Sequence, residues 1–158
     1  MYIDAPGPKF LSDSFLFKEK LFETSDHTYP LLRKFFNYIE KRFNLNVVVA
    51  PHPKTKIRDK SSLFGYRKVI SDNTKNLIKY SSLVITRNST AVSFACYYKK
   101  PIILFYTNQT LNTEAQESTE YLARSLKLQA INLDNFKKYK LKKIINFNNS
   151  VYDKYLYN

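Results

Sequence analysis

Three short runs of apolar residues, VVVA at 47–50, LVIT at 83–86 and PIILFY at 101–106, constrain this chain more than anything else in it. A strand with one wet face alternates apolar and polar residues. A run without alternation must be covered on both faces, as in a parallel sheet with helices packed above and below. Between the runs the period changes. Leu31, Leu32, Phe35, Phe36 and Ile39 recur at three- and four-residue spacing and predict a helix over 28–44, with Pro30 tolerated in its first turn. Further helices are predicted over 74–80, capped by Asp72 or Asn73, over 89–98 and over 113–127. The 89–98 segment is apolar almost all round (Ala91, Val92, Phe94, Ala95, Cys96), which predicts a helix wedged deep in the domain. Short strands at 2–4, 68–70 and 129–132 and a basic, helical tail complete the pattern.

Strands alternating with helices predict the fold class α/β, a Rossmann-like, doubly wound and mostly parallel sheet with right-handed crossovers. The 158 residues suit a single domain, and 13 tyrosines with 12 phenylalanines supply ample material for its core. Repeats and Gly/Ser- or Pro-rich linkers are absent. One segment resists the scheme. Residues 5–27 are longer than an ordinary connection, and Phe10 to Phe22 carries seven large apolar residues in thirteen positions. That composition predicts an interface, with a partner lobe or with a second copy in a homodimer.

The chemical inventory is narrow. Cys96 is the single cysteine, so an internal disulfide and a multi-cysteine metal site are excluded, and the only histidines are His27 and His52. Gly7 and Gly65 are the only glycines, which disfavours glycine-rich phosphate loops and with them NAD and ATP chemistry; no metal and no cofactor is expected. Cys96 reads as a core residue and His27 as a surface or capping residue. The net charge of +13 points to anionic partners. Its densest part is FKKYKLKK at 136–143, read either as a solvated face or as a contact with an anionic membrane surface. Without a zinc-finger, homeodomain or RNA-recognition signature, no specific nucleic acid is expected. The apolar runs are too short for a membrane span and the first residues carry no secretion signal, so the expected location is cytoplasmic, peripheral at the inner face of the membrane.

In a doubly wound sheet, ligands bind at the carboxyl ends of the strands. Two loops are predicted there. Ala50-Pro51-His52-Pro53-Lys54 follows a buried strand, and its prolines aim one imidazole and one ammonium out of the sheet edge. Thr86-Arg87-Asn88-Ser89-Thr90-Ala91 joins a buried strand to a helix; taken alone, Asn88-Ser89-Thr90 is an ordinary N-cap, but at this edge its hydroxyls and the helix N-terminus suit a phosphate or diphosphate. Thr74, at the start of its own helix, is a further candidate contact.

These residues carry a resemblance. VVVAPHPK at 47–54, followed by SSLVITRNSTAVSFACYYKKPIILFYT at 81–107, resembles the C-terminal, nucleotide-sugar-binding half of GT-B glycosyltransferases. The closest pattern is that of bacterial sialyltransferase-like and surface-polysaccharide enzymes, and the CDP-glycerol glycerophosphotransferases are similar. The matches are His52-Pro53, Ser89-Thr90 and Lys100-Pro101. The CDP-glycerol enzymes carry an acidic residue where this chain has Arg87. The resemblance implies a donor-binding domain for a CMP- or CDP-linked sugar in surface polysaccharide or lipooligosaccharide synthesis. In it, His52 would serve catalysis at the donor phosphate, His52, Asn88, Ser89 and Thr90 would bind that phosphate, and Pro53, Lys54 and Thr74 would contribute to the donor site. It also implies a separate N-terminal acceptor domain holding the general base, so that this half is inactive alone. A non-catalytic, basic module for nucleotides or nucleic acid is the alternative reading.

Overall fold

A computed structural model describes residues 1–4, 23–52 and 60–157. Its centre is a five-stranded, all-parallel sheet in the order β2-β1-β3-β4-β5, where β1 is Tyr2–Ile3, β2 Val49–Ala50, β3 Val84–Thr86, β4 Ile102–Tyr106 and β5 Ile131–Asn132. The register pairs Tyr2 with both Val49 and Ile85, and Ile85 with Ile103. The strand predicted at 68–70 is reduced to one bridge: Val69 lies beside Val49, flanked by Val49 N–H donating to the Lys68 carbonyl and Ile70 N–H donating to the Val49 carbonyl, each at 2.9 Å. With this bridge included, the chain builds the sheet outward from β1 to one side, then returns to lay β3 against the other side of β1. That reversal makes the fold doubly wound.

Side chains alternate across the sheet as a period of two demands. Tyr2, Val49, Leu83, Ile85, Ile103, Phe105 and Ile131 face one layer; Ile3, Ala50, Val84, Ile102 and Leu104 face the other. The first layer is α1 (Ser25–Phe43) with the short α2 (Lys60–Leu63), and, after β5, a 3-10 segment (Leu133–Lys138) leading to α6 (Leu141–Ile144). Leu32, Phe35, Phe36 and Ile39 of α1 meet the sheet, and Tyr2 sits in a ring cluster with Phe36, Phe64 and Phe105 at 5.1–6.2 Å. Asn44 ends α1 in the left-handed conformation (φ 52°), which asparagine tolerates well. Arg67 ties the segment after α2 to α1: its Nε and Nη2 donate to the Glu40 carboxylate at 3.0 and 2.6 Å, while Nη1 donates to the Phe64 carbonyl at 2.9 Å.

The second layer holds α3 (Thr74–Tyr80), α4 (Val92–Tyr97), α5 (Glu114–Ser125) and α7 (Asn149–Tyr157). Buried Tyr152 locks α7 down by stacking on Phe147 at 4.7 Å and donating to the Lys100 carbonyl at 3.1 Å. Cys96 is a core residue here, and burial pushes its thiol up to about 12. The deep helix expected over 89–98 is shorter and shallower. It starts at Val92, buries only Val92, Ala95 and Cys96, and leaves Phe94 38% and Tyr97 58% exposed; the Lys75 ammonium of α3 lies over the Phe94 ring, 5.7 Å from its centroid. Among the described residues no helix is long and apolar enough to cross a membrane.

Candidate functional site at the carboxyl edge of the sheet

The strand order reverses between β1 and β3, so the residues just beyond these strands and their neighbours β2 and β4 form the candidate site. Beyond β1 stands Asp4, buried, its N–H donating to the Ala50 carbonyl at 2.8 Å and its Oδ1 accepting from the Tyr2 hydroxyl at 3.1 Å. Beyond β3 stands Arg87, its side chain 13% exposed and paired through both terminal nitrogens with Glu23, which is 7% exposed. The Thr107 hydroxyl, beyond β4, donates to the same Glu23 carboxylate at 2.7 Å, and the guanidinium lies over the Phe105 ring, 5.2 Å from its centroid. Burial by itself would lower the Arg87 pKa, but the charges of Glu23, Tyr2 and Asp4 outweigh it and hold the guanidinium more firmly charged than usual. Burial raises the Tyr2 phenol, and Asp4 adds to the effect. Buried Arg87 Nε has no hydrogen-bond partner among the described residues.

The first turn of α1 is bound to the same edge. Thr24 N–H donates to Gln109 Oε1 at 2.8 Å, and His27 Nε2 contacts Asp134 Oδ1 at 2.7 Å while Asp134 Oδ2 accepts the Asn108 N–H at 2.7 Å. His27, read from the sequence as a surface or capping residue, is 31% exposed and pairs α1 with the turn after β5. Its Nδ1 is buried without a partner among the described residues. Among the described residues no three His, Cys, Asp or Glu side chains converge as a metal site.

Half-buried His52 follows Pro51 at the end of β2; Pro53 and Lys54 lie outside the described residues, as does the apolar stretch Phe10 to Phe22. Asn88, Ser89 and Thr90 follow β3 as predicted, on the far side of β1 from His52. Two strand spacings separate the two loops, about 10 Å. Ser89 organises its turn, its Oγ accepting from the Ala91 N–H at 3.3 Å and its carbonyl from the Val92 N–H at 3.0 Å. Exposed Asn88 lines an open groove of about 580 Å³ shared with Glu117, Tyr121 and Tyr155. Because α4 begins at Val92 and spans six residues, the positive helix end expected beside Ser89 and Thr90 is weaker and farther along than the sequence suggested. Thr74 opens α3 one turn before buried Ile78.

The sequence reading missed Asp4, Glu23, Thr107 and Asp134. Asp4 was findable, since the residue after a leading buried strand occupies the ligand edge by rule; Glu23 and Asp134 carry no local signal, because their partners lie 64 and 107 positions away. The chain matches no protein-family model, and no curated protein or solved structure resembles it significantly.

Proposed function

We propose that this chain is a donor-binding domain of a glycosyltransferase, taking a CMP- or CDP-linked sugar at the carboxyl edge of the sheet. The observation that supports it is the strand order: the loop carrying His52 and the loop carrying Asn88, Ser89 and Thr90 flank β1, where the winding reverses. In this reading His52 donates to, or pairs its charge with, the donor phosphate. Ser89 and Thr90 give hydroxyl donors to the oxygens on which charge builds as the sugar leaves. The groove beside Asn88, with the ring of Tyr121 exposed, is where the nucleoside would lie.

Charge at the site limits the pose. The Asp4 and Glu23 carboxylates are both buried there, so the phosphate belongs on the outer, hydroxyl-bearing side of the β3 loop, away from Asp4. The domain binds nucleotide and transfers nothing by itself, because acceptor and general base are assigned to a separate lobe.

A thermal-shift panel of CMP, CDP, UDP, GDP and ADP, with inorganic pyrophosphate as the charge control, tests the reading. A cytidine nucleotide is expected to stabilise more than pyrophosphate does, by about 2.7 kcal/mol at a hundred times its dissociation constant. His52→Ala is expected to remove that advantage, with the unliganded Tm of the variant measured beside it. An equal response to every nucleotide, unchanged in His52→Ala, would sink the assignment.

A further inference from the structure

We propose that the concavity beside edge strand β5 is a second ligand site, for a small molecule bearing a phosphomonoester or diphosphate. A cavity of about 580 Å³ opens there, bordered by Tyr106 and Asn132 at the ends of β4 and β5, by Asn135, and by Lys138, Lys140 and Lys143. The lysine-rich stretch is thereby divided. Three of its five ammonium groups border one concavity, while Lys137 and Lys142 do not border it.

The walls are fixed. The Tyr139 hydroxyl accepts the Asn132 N–H at 3.0 Å, and the Asn132 side chain donates to Asn108 Oδ1 at 2.8 Å while accepting the Asp134 N–H at 3.0 Å. The cations are not. Among the described residues none of the three lysines forms an ion pair. Glu120, the carboxylate that acts on Tyr106, is already engaged by Gln116 Nε2 at 2.9 Å and lies 3.7 Å from Arg124. Like charges gathered on a hollow without a counter-charge repel one another until an anion enters. Three ammonium groups match the three oxygens and near-double charge of a phosphoryl group, with the Asn135 amide as a neutral donor beside them. Burial raises the Tyr106 phenol, and its hydrogen bond with Tyr139 makes that hydroxyl part of the fixed wall. A phosphate fills only a small part of the space, which leaves room for the body of a metabolite.

The proposal stands apart from the donor site and fails separately from it. Isothermal titration of the full chain with inorganic pyrophosphate at low salt is the test, with circular dichroism to check that each variant is folded. K138Q/K140Q/K143Q is expected to weaken binding by about tenfold or more, whereas K137Q/K142Q, which removes charge from the same stretch, changes it by roughly twofold or less. Equal losses in the two lysine variants would mean a diffuse field and overturn the site. Loss in His52→Ala alone would move the anion to the donor loops and overturn it too. Attachment to phosphatidylglycerol-containing vesicles with no binding of soluble pyrophosphate would make the stretch a membrane contact instead.

Discussion

Two basic regions at one edge of the sheet have opposite fates. Arg87, beyond β3, is enclosed, paired through both terminal nitrogens with Glu23 and stacked over Phe105. Lys138, Lys140 and Lys143, near the end of β5, are exposed around a hollow and form no ion pair among the described residues. The contrast separates charge that holds the fold from charge that is free to meet a ligand. Taking one partner from a buried pair leaves an uncompensated ion out of water, while neutralising an exposed lysine changes little besides the local field.

The sharpest way to break this comparison is Arg87→Ala, which strands Glu23. Its expected cost is about 3–5 kcal/mol in urea unfolding, and an Arg87→Met/Glu23→Leu double variant is expected to recover much of it. A loss below about 1 kcal/mol would mean that the pair is as dispensable as a surface bridge. Next in size, Ser89→Ala with Thr90→Ala is expected to weaken cytidine nucleotide binding by roughly 1–3 kcal/mol. Ser89→Ala alone also removes the hydrogen bond from Ala91 N–H that organises the turn, worth about 1 kcal/mol of stability, so affinity and unfolding are measured on the same samples. Stability lost with affinity retained would leave the pair a purely structural role in the turn.

A smaller effect comes from acid. Burial works to raise the Glu40 carboxyl, but the hydrogen bonds and charge of Arg67 and the Val47 N–H outweigh it, and the net shift is downward. A carboxylate depressed on folding contributes stability that is present above its unfolded value near 4.5 and lost as pH falls through the lower folded value. Denaturation midpoints are therefore expected to fall below about pH 4.5, with Arg67→Ala flattening that part of the profile by about 1 kcal/mol or less. Smallest of all, K138Q/K140Q/K143Q is expected to change stability by no more than about 0.5 kcal/mol. A larger loss would place these lysines with Arg87 among the charges that hold the fold.

Much of the architecture was legible because it rests on local period. The helix over 74–80 appears with those bounds, and the 83–86 and 101–106 runs differ from β3 and β4 by one residue at the start. The two wrong emphases share a cause. Composition alone cannot tell a helix buried all round from one whose exposed side carries aromatics, as Phe94 and Tyr97 do in α4. Three residues at 68–70 read as a strand, yet their pairing with Val49 amounts to a single bridge at Val69, at the edge of the sheet. For the candidate site, the edge rule placed His52, Asn88, Ser89 and Thr90 at the carboxyl ends of the strands, where the structure has them. It could not reveal Glu23 at Arg87 or Asp134 at His27, since long-range ion pairs leave no periodic trace. Nor could it divide the lysines, because their split between hollow and open surface depends on how the turn after β5 folds back over Tyr106.

The most direct test of the account follows the backbone amides by NMR while CDP is added to K138Q/K140Q/K143Q, in which the second hollow has lost its cations. Saturable shifts gathered at His52 and at Asn88, Ser89 and Thr90 are the predicted result. Shifts absent from both loops at CDP concentrations that saturate a genuine donor domain would contradict it.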